Sequence, residues 1–109
     1  MGKFAVGEVV LVLFPFSNLQ GQKVRPALVL AKAEQDDLIL CQITSNPYSS
    51  KLAIKIDQNS FKQGQLPVTS YVRPNKLFTA NSSIIKKPAG KLNISTTKLI
   101  LKSVRSMFA

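Results

Sequence analysis

Two arginine-proline pairs, Arg25-Pro26 and Arg73-Pro74, and the polar strand end Thr44-Ser45-Asn46-Pro47 are the parts of this sequence best equipped to act on a phosphate ester. A guanidinium presents a planar, multi-donor fork to phosphate oxygens, a geometry that a lysine ammonium does not reproduce. Proline fixes its own φ and restricts the residue before it, so each arginine is expected at the end of a strand. Two such groups can grip one phosphodiester. Each feature also has an ordinary structural reading. An arginine before proline at a strand start is commonly a solvated or ion-paired surface residue, and Thr44 with its neighbours can simply cap a strand. The remaining chemistry is narrow, because the chain has no histidine and a single cysteine, Cys41. That excludes the usual zinc ligands, an intrachain disulfide and any imidazole acid-base step. Cys41 lies in an apolar run and is expected to pack as a small hydrophobe.

Length and charge narrow the function classes. At 109 residues the chain has room for one domain, residues 1–109, with one modest core. Fifteen Lys and Arg against five Asp and Glu give a formal charge of +10, well beyond what solubility requires of a small domain. An anionic partner is implied. Nucleic acid is favoured, because a polyphosphate backbone rewards many cations through counterion release, whereas a small anionic substrate needs only two or three. No apolar run approaches the roughly 18 residues of a membrane span, and no signal peptide or lipidation site is visible. The single thiol and the absent targeting signals point to the cytoplasm, with no membrane partner.

The elements that must position these groups are short strands. Gly7 to Leu30, GEVVLVLFPFSNLQGQKVRPALVL, organises the chain: two apolar runs, Val9–Phe14 and Ala27–Leu30, flank a polar, glycine-containing loop. Val9–Phe14 is too continuously apolar for a one-sided strand, so it is expected to be buried on both faces, by the core or by a partner subunit. Phe16 and Leu19 in the loop either pack over the fold or offer a base a stacking platform. Lys32–Asp37 is a polar turn, and Leu38–Ile43 a third strand running into Thr44. Ala53–Ile56 alternates apolar and basic as a fourth strand; Phe61–Pro67 is a connection in which Gly64 makes a turn; Val68–Val72 is a fifth strand. Leu77–Ala80 is expected as a helical turn, and Ser83–Lys87 as a strand broken by Pro88-Ala89-Gly90. Ser95 or Thr96 caps a terminal helix with Ile100, Leu101, Val104, Met107 and Phe108 on one face. The sum is a mainly β fold with minor α: five or more curved strands closing a small barrel, finished by one helix.

These residues carry a resemblance. The opening GEVVLVLFPFSNLQGQKVRPALVL with its Lys23-x-Arg25-Pro26, the strand end Gln42-Ile43-Thr44-Ser45, then SYVRPNKLF and a GKL before the terminal helix resemble the MazF/PemK family of toxins from bacterial toxin–antitoxin modules. The resemblance spans nearly the whole chain. It implies an SH3-like, CcdB-like barrel with a C-terminal helix, a homodimer, and a cofactor-free, metal-independent endoribonuclease. Such enzymes cut single-stranded mRNA at short sequences, leaving a 2′,3′-cyclic phosphate and a 5′-hydroxyl. Family catalytic positions fall on Arg25 and Thr44, and Arg73 matches a basic residue of the Kid-type members. Asn18, Gln22, Lys23, Gln42, Ser45, Arg73 and Asn75 are the expected RNA contacts, although Asn and Gln in loops are also ordinary turn residues. The sequence departs from the Kid-type pattern where Asn75 stands in place of an acid and where the first loop lacks a histidine.

Elementary chemistry agrees in part with this reading. Cleavage through the RNA's own 2′-OH requires in-line positioning, charge stabilisation on the phosphorane oxygens and proton transfers. Arg25 can supply charge and donors, and the Thr44 hydroxyl can donate to a phosphate oxygen. A guanidinium holds its proton under physiological conditions, so no general base is assigned. Two rival readings are a non-catalytic nucleic-acid-binding barrel and a gyrase-poisoning toxin of the same fold; relatives of the latter kind use a C-terminal Trp, which this chain lacks. The resemblance also implies an antitoxin whose acidic, flexible tail orders over the basic groove.

Overall fold

The computed structural model of the protein describes residues 4–15, 22–48 and 50–109. Asn18, Phe16 and Leu19 therefore lie outside the described residues. Seven strands, β1 (Glu8–Pro15), β2 (Gln22–Lys32), β3 (Asp37–Thr44), β4 (Ile54–Ile56), β5 (Phe61–Gly64), β6 (Ser70–Asn81) and β7 (Ile85–Leu92), precede one helix, α1 (Ile94–Ser106). The strands form a single antiparallel sheet in the order β4-β6-β3-β2-β1-β7-β5.

This order forces the sheet to curl. Its two edges, β4 and β5, are consecutive in the chain and joined only by residues 57–60. Seven flat strands would hold their edges about 29 Å apart, whereas that link reaches about 17 Å at most when extended. It is shorter still here, because Gln58–Ser60 is a 3-10 turn. Asp57 caps it, accepting from Asn59 N at 2.9 Å while Asp57 N donates to Ser60 Oγ at 3.2 Å. The result is a half-barrel, the curled β architecture with a C-terminal helix that the sequence indicates; β4 and β5 do not pair with each other among the described residues.

Each face of the sheet carries its own apolar cluster. Val9 joins Leu28, Cys41, Ile43, Ile56, Val72 and Leu92 beneath Ile100 of α1, so the helix covers this side. Val10 and Val12 join Ala27, Val29, Leu38, Leu40 and Ala80 on the other, edged by Phe14 and Phe78. Val9, Val10 and Val12 are all fully buried, so the chain itself covers both faces of this part of β1. Gly7 ties β2 to β7: its N donates to Val29 O and its O accepts from Leu92 N, both at 2.9 Å, with a φ of 94°.

Several local expectations are corrected. Leu77–Ala80 is no helical turn; it continues β6 opposite β3, because the burial of alternate residues on the sheet outweighs local propensity. Phe61–Gly64 is an edge strand rather than a connection, and Gly64 with φ 68° faces Gly90, where a Cβ would collide with the Ala89 carbonyl. Pro88 does not end the last strand. It is carried through β7 opposite Val10, beside a register shift that absorbs its missing N–H. The helix cap is Asn93, not Ser95 or Thr96: its Oδ1 accepts from Thr96 N at 2.9 Å and its Nδ2 donates to Asn59 O at 3.1 Å. Ile100, Leu101 and Val104 pack inward as expected, but Met107 and Phe108 follow the helix and are exposed, since the helix ends before them.

Candidate active site

Arg25 and Pro26 stand within β2, not at its mouth as the sequence suggests, with Val12 and Leu11 of β1 as their partners. On the other side the ladder to β3 begins only at Ala27, opposite Gln42. Proline has no N–H to contribute, so the ladder's end here fits Pro26. Continuing the Ala27–Gln42 register by two residues brings Arg25 opposite Thr44, the last residue of β3.

Arg73 likewise stands within β6 rather than at a strand end. It is the direct partner of Gln42, while the adjacent Cys41 pairs with Leu77, so residues 74–76 bulge out of the ladder. Pro74 is fully buried in that bulge, and its absent donor is the local reason that pairing slips there. Because partners across a ladder share a face and alternate residues return to it, Arg25, Gln42, Thr44 and Arg73 share the face opposite α1, at the end where its apolar cluster stops.

There they meet. Phe14, Arg25, Pro26, Gln42, Ile43, Thr44 and Arg73 line one cavity of about 230 Å³. Among the described residues its charged side chains are two guanidiniums, Arg25 exposed at the lip and Arg73 half-buried, with no carboxylate lining it. Convergent cations without an acid create the field of an anion site. Thr44 Oγ1 accepts from Asn46 N at 3.1 Å, which orients the hydroxyl and leaves its proton to donate. Asn46 Oδ1 in turn accepts from Tyr48 N at 2.9 Å, so two consecutive side-chain-capped turns shape the loop leaving the site.

The other expected residues are placed differently. Lys23 is exposed on the same face, opposite Phe14, and Ser45 is exposed immediately beyond Thr44. Asn75 is exposed in the bulge and does not line the cavity. Gln22 opens β2 opposite Pro15. Phe14, Pro26 and Ile43 line the cavity without having been anticipated there; Phe14 packs its ring on Phe78 with centroids 5.1 Å apart. The alternation Val10, Val12, Phe14 was a signal for its face, but only the hairpin register sets it beside Arg25. Cys41 lies on the opposite, helix-covered face, where burial pushes its thiol up to about 12. Among the described residues no three His, Cys, Asp or Glu come together as a metal site.

The family model described as PemK-like, MazF-like toxin of type II toxin-antitoxin system matches residues 5–108. The chain belongs to this family. Among solved structures, the toxin is similar to that in a MazE-MazF crystal structure (Form-II) from Deinococcus radiodurans, with a TM-score of 0.78, 16% identity, and 96% of this chain and 95% of that chain covered. An endoribonuclease in complex with its cognate antitoxin, from Mycobacterial species, gives a TM-score of 0.72 at 15% identity over 99% of this chain and 95% of that one. The Mycobacterium tuberculosis toxin MazF-mt6 gives 0.67 at 16% identity, over 91% and 95%. Sequence comparison with curated proteins finds no match. These structural likenesses establish the fold of the toxin, and the family model its membership. No helix among the described residues is long and apolar enough to cross a membrane.

Proposed function

We propose that this toxin is a sequence-specific endoribonuclease that cleaves single-stranded mRNA in the cytoplasm without a metal ion. The observation that carries the reading is the convergence of Arg25, Thr44 and Arg73, distant along the chain, on one cavity without an acid. In the reaction, the 2′-oxygen of the substrate attacks the adjacent phosphorus. A bond from O2′ to phosphorus forms, the bond to O5′ breaks, and the products carry a 2′,3′-cyclic phosphate and a 5′-hydroxyl. The 2′ proton leaves to solvent, and the departing 5′-oxygen takes one up.

The protein's part is electrostatic and orientational. Arg25 donates to the phosphorane oxygens as charge builds on them, which is where preorganised donors act most strongly. The Thr44 hydroxyl, held from behind by Asn46 N, donates to a second oxygen. Arg73 and Gln42, paired across the ladder, hold the scissile link in line. Lys23, Ser45 and Asn75, exposed near the cavity, extend the RNA contacts, and the family resemblance adds Gln22 and Asn18 to them. Lining side chains that include no imidazole, thiol or carboxylate support a reaction without a protein-bound metal.

Names of the similar structures support the activity and the partner: one is an endoribonuclease with its cognate antitoxin, another a MazE-MazF complex. An acidic antitoxin segment complements the formal +10 charge. A homodimer is the assembly we favour, supported by Ile94, Leu99 and Phe108, which are 68%, 55% and 75% exposed on or just beyond α1. The decisive experiment is incubation of purified toxin with long single-stranded RNA in EDTA, followed by mapping of fragment ends. Discrete cuts with cyclic-phosphate termini are expected. RNA that is bound but left intact would make the protein a binding barrel instead.

A further inference from the structure

The site face does not stop at the cavity. Thr44 is the direct partner of Tyr71 on β6, and Tyr71 is the direct partner of Lys55 on β4. Three residues thus stand in a row across three strands, on the face that carries Arg25 and Arg73. At about 4.8 Å per strand, Lys55 lies about 10 Å from Thr44 across the sheet. The apolar residues flanking this row, Ile54, Ile56 and Val72, belong to the helix-covered cluster. Tyr71 and Lys55 belong to neither cluster. Tyr71 is half-buried and Lys55 exposed on the three-residue edge strand β4, where Lys55 makes no ion pair with a described residue.

A half-buried aromatic side chain, next to a solvated cation and beyond a phosphate site, has the composition of a nucleotide platform: a π-face for a base and a charge for the backbone. We propose that Tyr71 and Lys55 form a subsite for the nucleotide adjoining the scissile link, with Tyr71 stacking its base and Lys55 contacting its outer phosphate. This assignment rests on the RNA-cleaving reading above. It makes the β4 edge one end of the RNA path and gives Tyr71, rather than a loop residue, the task of fixing which bases are tolerated next to the cut.

Binding without cleavage is read by fluorescence anisotropy on a single-stranded RNA whose scissile ribose is 2′-deoxy, at a series of salt concentrations. Lys55→Ala is expected to weaken binding and to reduce the slope of log K against log salt by about 0.7, the value for one phosphate contact on a single strand. Tyr71→Leu is expected to lose about ten-fold in affinity, the order of one base-aromatic stack, while Tyr71→Phe retains it. With cleavable RNA the Lys55→Ala loss falls on KM. Lys55 is exposed, so its variant tests the idea even if Tyr71→Leu does not fold. An unchanged salt slope for Lys55→Ala, or Tyr71→Phe as weak as Tyr71→Leu, overturns the subsite. Wild-type toxin that cuts RNA while Lys55→Ala keeps the wild-type slope removes the subsite and leaves the activity. Wild-type toxin that binds the deoxy RNA with the expected Lys55 dependence but cuts nothing removes the activity and leaves the subsite.

Discussion

Gln42 and Arg73 are direct cross-strand partners, and the register slips immediately beyond them, so that Cys41 next door pairs with Leu77. The slip places Arg73 at the last paired position before the bulge and sets its half-buried guanidinium into the cavity. Arg73→Lys keeps the charge and loses the planar fork. It is expected to lower kcat/KM by about ten-fold or more, because one ammonium replaces a bidentate contact. Steady-state cleavage of a defined RNA measures it, and equal rates for the two side chains would remove Arg73 from the phosphate site.

Arg25 is exposed, so its removal leaves the core intact. Arg25→Ala is expected to fold with an unchanged thermal transition and to lose about 10²–10³-fold in kcat, the usual cost of one oxyanion donor. A folded Arg25→Ala protein that cuts at the wild-type rate refutes its catalytic role. Thr44→Ser keeps both the donor and the bond from Asn46 N and should stay active, whereas Thr44→Val loses both.

The cavity lining contains no carboxylate, imidazole or thiol to titrate between about pH 5 and 9. If the reaction proceeds by electrostatics and orientation, the rate should climb steadily with pH, following hydroxide's activation of the 2′-OH, with no acid-base bell. A single-turnover pH profile with two limbs would mean that a titrating group outside this lining acts as base or acid.

Cys41 should be inert. Its thiol is pushed from 9.0 to about 12 by burial, so thiol reagents are expected to label the folded protein only through unfolding. Between pH 9 and 12 the folded chain holds a proton that the unfolded chain releases, so stability is fully present below about 9 and falls as pH rises toward 12. Denaturant melts of Cys41→Ala and wild type should diverge less at alkaline than at neutral pH; parallel curves across that range would show the thiol is not involved.

Ile100 is the fully buried residue by which α1 closes its side of the sheet. Ile100→Ala is expected to cost about 2–5 kcal/mol in urea unfolding. A loss well below that would mean that α1 contributes little to the fold of the free chain.

Much of the molecule is legible along the chain. Continuous apolarity in Val9–Phe14 announces burial on both faces; the sheet provides it at Val9 on one face and Val10 and Val12 on the other, while Leu11 and Leu13 stay half-buried outside both clusters. The hairpin, the β3 run into Thr44 and the terminal helix follow from periodicity and turn residues, which are local properties. Punctuation by proline and glycine misleads wherever a neighbouring strand compensates: Pro88 and Gly64 sit inside strands because bulges and a facing glycine accommodate them.

Residue types nominated Arg25, Thr44 and Arg73, since guanidinium and hydroxyl chemistry is written in side-chain identity, and the family resemblance added Gln42 and the catalytic roles of Arg25 and Thr44. That these four share one cavity, that Asn75 stands outside it, and that Tyr71 and Lys55 continue its row were decided by the strand order β4-β6-β3-β2 and by one register slip. Ladder register joins residues far apart in the chain, and moving it by one reverses every face. No local pattern encodes that choice; it is set when both apolar faces are buried at once.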